Sequence, residues 1–388
     1  MLKTTILGTF LTAMAIGAYA QDSLTVQANL KGLKGGTLII SYPGAPKGGQ
    51  TIEATSDKVS FKLPKREEYY AVSARNSNYA TRTYVNYKND TIRTPTGFFE
   101  FLAKEKDLKI ESATLSYEDY YATGDDTNND YSALKKSLAA NRAKRDALST
   151  QYAQTDPATN KELLESLGKQ MSALSGERSK AEYTYIKTHP GNYLSVYLLS
   201  KMPYYFSTHR YQETYNNLAA TYKTTAAAKS IEKIIADNAF MKNGDVTTNF
   251  IKTGLDGKPV DLAQYKGKVV ILDFWGSWCG PCRASHPHLK EIYEKYHAKG
   301  LEIIGIAAER SKTPEDNQAA WRKAIEEDGI HWVHVLNNDP QGIDVVKTYG
   351  VRAFPTKIVL DREGKVIMRM TSAAAGDELD EILAGQLK

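Results

Sequence analysis

Seven residues, Val269–Trp275 (VVILDFW), run almost unbroken in apolar character straight into Gly276-Ser277-Trp278-Cys279-Gly280-Pro281-Cys282. No other feature of the 388-residue chain restricts its fold so tightly. A continuous apolar strand is covered on both faces, which calls for helices on both sides of a mostly parallel sheet. Proline just after it fits the first turn of a helix, where its missing N–H is not needed. Cys279 and Cys282 therefore fall where a central strand hands over to a helix. They are the only two cysteines. Within one chain that count excludes a disulfide scaffold, a four-cysteine zinc site and a cysteine-ligated iron–sulfur cluster. A bridge across three positions closes too small a loop to stabilise much. The pair reads as chemistry, not architecture.

The junction explains which chemistry. A sulfur at a helix N-terminus meets unsatisfied backbone N–H groups and the positive end of the dipole. In C-x-x-C sites this lowers the thiol pKa from ~8.5 toward ~7, about 2 kcal/mol in favour of the thiolate. The thiolate is the attacking species in disulfide exchange. Cys279, at the helix end, is expected to be the exposed nucleophile and Cys282, one turn in, the resolving thiol. Trp278 flanks the pair. The competing reading is a metal site built from Cys279, Cys282, His286 and His288. Helical spacing opposes it: Pro287 bends the helix after His286, and His288 is rotated away from both thiols. No metal and no cofactor are expected. His286 reads either as a neighbour that tunes the thiols or as a surface residue. His297, His331 and His334 have no ligand spacing.

Alternation of strands and helices continues over residues 246–388. Leu301–Ala307, Thr356–Leu360 and Val366–Met370 read as strands, and helices are expected near 282–299, 314–328, 342–349 and 377–387. This region resembles the exported TlpA/ResA-like thiol–disulfide oxidoreductases of the thioredoxin superfamily. The features that carry the likeness are Gly257-Lys258, Val260-Asp261-Leu262, Tyr265-Lys266-Gly267-Lys268, the WCGPC core and Phe354-Pro355-Thr356. The resemblance implies a cis-proline loop at Pro355 beside the cysteines, where substrate backbone pairs, with Phe354 shaping substrate choice. It also implies that Asp273 is the buried aspartate of thioredoxins, a proton acceptor for Cys282 when it lacks a partner. Glu309 falls at another glutamate position of the family. Ser285 stands where many relatives carry glutamate, a departure from their proton-handling arrangement. Pro287 matches a helix-kinking proline.

The rest of the chain reads as two further blocks. Residues 22–121 alternate with period two, as in Leu24, Val26, Ala28 and Leu30, and turn signals such as Lys34-Gly35-Gly36 separate the runs. A small antiparallel, all-β domain is expected. Residues 122–130 hold no large apolar side chain and read as a linker. Residues 131–240 read as helical, with Asp156-Pro157 as one capped start and Leu163, Leu167, Met171 and Leu174 as one stripe. The fold class is thus an α/β thioredoxin-like C-terminal domain, an all-β N-terminal domain and an α-helical middle region.

Lys3, an apolar stretch over residues 4–18 and Ala18-Tyr19-Ala20 form the pattern of a secretory signal peptide, residues 1–20, cleaved after Ala20. The chain is then exported, to the periplasm by the resemblance, where disulfides persist. The balance of 50 basic and 45 acidic residues is too even for a nucleic-acid binder. The expected partners are proteins bearing thiols or disulfides, with a membrane thiol carrier as electron donor by the resemblance; the oligomeric state is open. Gly-Pro between the cysteines resembles reducing thioredoxins near ~−270 mV rather than oxidants near ~−120 mV, a gap of about 7 kcal/mol. The expected activity is protein-disulfide reduction or isomerisation. The alternatives are a binding protein on a thioredoxin-like scaffold, or a metal chaperone.

Overall fold

The computed structural model describes residues 22–388 apart from 80, 96, 97, 113, 115, 340, 341 and 372–375. The expected signal peptide lies outside the described residues. The chain divides between Leu174 and Ser175 into two compact units.

The first unit begins with β1 (Ser23–Leu30), β2 (Thr37–Ser41), β3 (Gln50–Glu53), β4 (Lys58–Pro64) and β5 (Tyr70–Asn76). It continues with β6 (Thr81–Val85), β7 (Thr91–Pro95), β8 (Phe99–Ala103), β9 (Leu108–Ser112) and β10 (Tyr120–Thr123). Two four-stranded sheets, ordered β10-β9-β1-β4 and β3-β2-β5-β8, share one apolar core, and β6 and β7 form a separate hairpin. Leu24, Val26, Ala28 and Leu30 are all buried in that core, as the alternation predicts. The sheets are not wholly antiparallel, since β1 and β9 pair in parallel. The segment 122–130 is no linker. It completes β10 and starts α1 (Asp126–Ser137), and its Asp125, Thr127 and Asn128 side chains are buried. Asp125 caps the helix by accepting the Asn128 N–H at 2.7 Å. Buried Asn128 exchanges hydrogen bonds with the backbone of Leu102.

Helices α2 (Ala139–Gln154) and α3 (Lys161–Thr188) follow, and α3 carries the boundary between the units. Asp156-Pro157 opens a turn instead of a helix. The Asp156 carboxylate takes the Ala158 N–H, and helix begins only at Lys161. The helical stretch 131–240 therefore does not group as one body, because α4 (Tyr193–Ser200), α5 (Thr208–Asn216) and α6 (Ala226–Asp237) belong to the second unit.

The second unit is built on β11 (Ile251–Thr253), β12 (Pro259–Asp261), β13 (Val269–Trp275), β14 (Leu301–Ala307), β15 (Val333–Leu336), β16 (Thr356–Leu360) and β17 (Val366–Met370). Its helices are α7 (Gly280–Tyr296), α8 (Pro314–Asp328), α9 (Val345–Thr348) and α10 (Gly376–Gln386). Five strands form one sheet, ordered β15-β14-β13-β16-β17, with the first three parallel and the last two antiparallel to their neighbours. Every residue of β13 and β14 is buried. The two-faced cover explains it. Val269, Ile271 and Trp275 pack with Leu289, Trp321, Leu379 and Leu383 from α7, α8 and α10. Val270, Leu272 and Phe274 pack on the opposite face with Val345 and Tyr349. Periodicity did not disclose the short hairpin strands β11 and β12, nor β15 in the main sheet. Strand β15 is short, carries His334 in its middle, and is recognised only by pairing with β14. The edge strand β17 meets the start of α5, where Ser207 bridges Met370 and hydrogen-bonds buried Glu378. Among the described residues no helix is long and apolar enough to cross a membrane.

Candidate active site

Strand β13 ends at Trp275, and Gly276-Ser277-Trp278 turns the chain into α7, with Cys279 as the cap residue. The Cys279 sulfur accepts the Cys282 backbone N–H at 3.3 Å. Proline at the second helical position costs no hydrogen bond there. The two sulfurs are joined in a disulfide. One expectation fails: Cys279 is not exposed but 4% accessible, because its sulfur is bonded to Cys282 and Phe354 packs against the same cluster. Cys282 is 1% accessible.

The approach to the cysteines is braced from two sides. Buried Glu309 accepts the Ser277 N–H at 2.8 Å and the Ser277 hydroxyl at 2.6 Å. Glu309 is itself held by Asn338 through both backbone groups. It thus touches the loop before Cys279, not the thiols. The Trp278 indole donates to the Ala308 carbonyl at 2.8 Å, and the Arg310 guanidinium lies 3.2 Å from the centre of its ring. Gly276 is required for this placement, since a Cβ there would come within 2.5 Å of the Trp278 ring nitrogen. Phe354 meets Trp278 edge-on, ring centres 5.5 Å apart. The Phe354–Pro355 bond is cis. Trp278, Phe354 and Pro355, separated by 76 positions in sequence, are thereby brought to one rim.

Asp273 lies on β13, on the face covered by α7, and is 1% accessible. The sequence leaves open whether it is unpartnered or an ordinary paired carboxylate; the structure supplies two neighbours. Lys357 stands directly opposite in the β13–β16 register, its ammonium 3.2 Å from Asp273 Oδ1. His286 Nε2 is 3.8 Å from Asp273 Oδ2. Lys357 also donates to Ser285 Oγ at 3.0 Å, and Ser285 donates to the Cys282 carbonyl at 2.7 Å. The position where many relatives carry glutamate therefore links the helix turn of Cys282 to a buried lysine. A lysine inside an otherwise apolar strand immediately after Pro355-Thr356 was the available signal for it.

His286 is not a surface residue. It is 1% accessible, with Nδ1 2.7 Å from Asp328 Oδ2, and its ring packs on Trp275 and Trp332. Asp328 also receives two-point hydrogen bonding from Arg283. Burial works against its ionisation, but the bonds from Arg283 and His286 outweigh that and hold its carboxyl below the usual range. His334, inward from β15, is driven down to about 3, first by burial and then by the nearby His286. His288 faces solvent and pairs with Asp380.

This arrangement can hold a thiolate at a helix N-terminus, oppose it with an apolar rim, and keep a buried carboxylate beneath the helix that carries the second cysteine. Comparison with known proteins agrees. The Redoxin family model matches residues 242–383. Thiol-disulfide oxidoreductase ResA of Bacillus thuringiensis subsp. konkukian is 34% identical over 143 residues, covering 37% of this chain and 78% of that protein. ResA of Bacillus anthracis is 35% identical over 153 residues, 39% of this chain and 81% of that protein. Among solved structures, the thioredoxin domain of a thiol-disulfide oxidoreductase from Bacteroides vulgatus is 31% identical, covers 36% of this chain and 97% of that one, and has a TM-score of 0.32. With the cysteine junction, the cis-proline rim and the two ResA relatives, each covered over more than two thirds of its length, the chain belongs to the TlpA/ResA-like thiol–disulfide oxidoreductases of the thioredoxin superfamily, a membership carried by its C-terminal unit.

Proposed function

We propose that this protein is an exported protein-disulfide reductase or isomerase working through its single CGPC pair. Reduced Cys279 attacks a substrate disulfide, one substrate sulfur leaves as thiolate, and Cys282 then attacks the mixed disulfide to release the second. The observation that carries the reading is the Cys279 sulfur in the cap position, 3.3 Å from a backbone N–H that has no other helical partner. That N–H and the helix dipole stabilise negative charge on this sulfur more than on Cys282, one turn further in. Trp278, Phe354 and Pro355 form the surface on which a substrate peptide lies. Asp273 takes the proton of Cys282 as it becomes the attacking thiolate. With no third cysteine in the chain, electrons arrive from another molecule. A membrane thiol carrier is the donor that fits an exported reductase.

Reduction of insulin disulfides by dithiothreitol tests this. Wild type is expected to accelerate it, and Cys279→Ser to abolish the acceleration; equal rates would overturn the enzyme reading. Cys282→Ala is expected to trap substrates on Cys279 as adducts released by reductant.

A further inference from the structure

A proton placed on Asp273 has no direct way out, because the residue is 1% accessible and lies under a helix. One of its oxygens is occupied by Lys357, itself 2% accessible. The other faces His286 Nε2, which has no hydrogen-bond partner. The opposite nitrogen of the same ring is bonded to Asp328. A carboxylate that accepts from Nδ1 fixes the ring proton there, so in the neutral ring Nε2 is a bare acceptor aimed at Asp273. The side chain of Asp328 is 14% accessible and reaches the surface of α8. Three residues on β13, α7 and α8 thus form a line from the buried carboxylate to water, with an imidazole in the middle.

We infer that His286 is a proton relay, a positioning residue that connects Asp273 to solvent through Asp328. The inference rests on the reading of Asp273 as proton acceptor for Cys282. As Cys282 loses its proton to attack the mixed disulfide, Asp273 becomes a carboxylic acid and can donate to His286 Nε2. The ring then passes its Nδ1 proton to Asp328, which gives it to water. No electron moves along the line, and one proton enters for each that leaves. When the active-site disulfide is next reduced, the same path runs backwards and restores the Nδ1 proton. The charged and titratable groups around the ring are Asp273 from β13, Asp328 and Glu327 from α8, Arg283 from α7, Lys357 from β16 and His334 from β15. Arg283 holds Asp328 and Lys357 holds Asp273, so each end of the line is anchored on the side away from His286. The ring packs edge-on against Trp275 and Trp332, which limits how far it can turn.

The test is single-turnover reduction of insulin by pre-reduced protein from pH 5 to 9, with wild type, His286→Gln, Asp328→Asn and His288→Gln. A relay predicts about a tenfold slower reaction at pH 7 in the first two variants. The deficit should shrink below twofold at pH 9, above the ordinary thiol range of ~8.5, where the attacking thiolate forms without needing an acceptor. His288→Gln, on the same helix but paired with Asp380 away from the line, should keep the wild-type profile, which separates the relay from the mere loss of a histidine on α7. Profiles that superimpose on wild type, or a deficit that is the same at every pH, would overturn the relay while leaving the enzyme reading intact. An inactive wild type would overturn both. If His286→Gln does not fold, Asp328→Asn gives the same answer from the partly exposed end of the line.

Discussion

Two strand-to-helix junctions in this protein solve one problem with different atoms. At the end of β10, Asp125 caps α1 with an oxygen that takes the Asn128 N–H at 2.7 Å. At the end of β13, Cys279 caps α7 with a sulfur that takes the Cys282 N–H at 3.3 Å. Both satisfy a donor that a helix start leaves over. The oxygen cap is short and further locked by Asn128, which also binds the backbone of Leu102. The sulfur cap has the ordinary length for a larger acceptor, and its atom is the one that exchanges bonds, here joined to Cys282. The difference teaches that the same helix-start field can serve either end: with an oxygen it stabilises the fold, with a sulfur it stabilises a thiolate.

The comparison can be broken by exchanging the atoms. Cys279→Ser gives α7 an oxygen cap, so disulfide exchange should fall more than a thousandfold in the insulin assay. Measured against reduced wild type, unfolding stability should change by less than about 1 kcal/mol. All four tryptophans (Trp275, Trp278, Trp321 and Trp332) lie in the second unit, so their fluorescence reports its unfolding alone.

The second difference is what lies beneath the sulfur cap. His334 is held at about 3 by burial and by His286, well below the ordinary value of 6.5. A histidine depressed in the folded state binds its proton preferentially when unfolded. Its contribution is complete above about pH 6.5 and is lost as the pH falls from there toward 3. Urea unfolding followed by tryptophan fluorescence should therefore show the second unit losing on the order of a few kcal/mol between pH 6.5 and 4. His334→Gln should flatten that decline. Asp328 titrates in a lower window: its depressed carboxyl contributes above about pH 4 and is lost only in stronger acid.

Two smaller effects sharpen the contrast. Glu309→Ala removes both acceptors of Ser277 and should cost about 2 kcal/mol in the same fluorescence assay, with slower turnover as the loop before Cys279 loosens. Asp125→Ala should cost the first unit about 1 kcal/mol, read by circular dichroism, and Asp125→Asn much less because asparagine caps equally well. Burial raises the Asp125 pKa against the bonds from Asn128, so a neutral cap loses little.

Much of the second unit was legible. The strands Val269–Trp275, Leu301–Ala307, Thr356–Leu360 and Val366–Met370 stand where the apolar runs place them. Strand β15 escaped because four residues with a histidine among them carry no period. In the first unit, the polar run 122–130 looked like a linker because a buried asparagine satisfied by distant backbone has no local signature.

What the sequence by itself determined is the cysteine pair at a strand-to-helix junction, because two-faced burial and a proline at the first turn are properties of neighbouring residues. What only the tertiary structure decided is the company Asp273 and His286 keep. Lys357 lies 84 positions from Asp273 and Asp328 lies 42 from His286. These groups meet through sheet register and helix packing, and no local pattern encodes which buried charge will answer which.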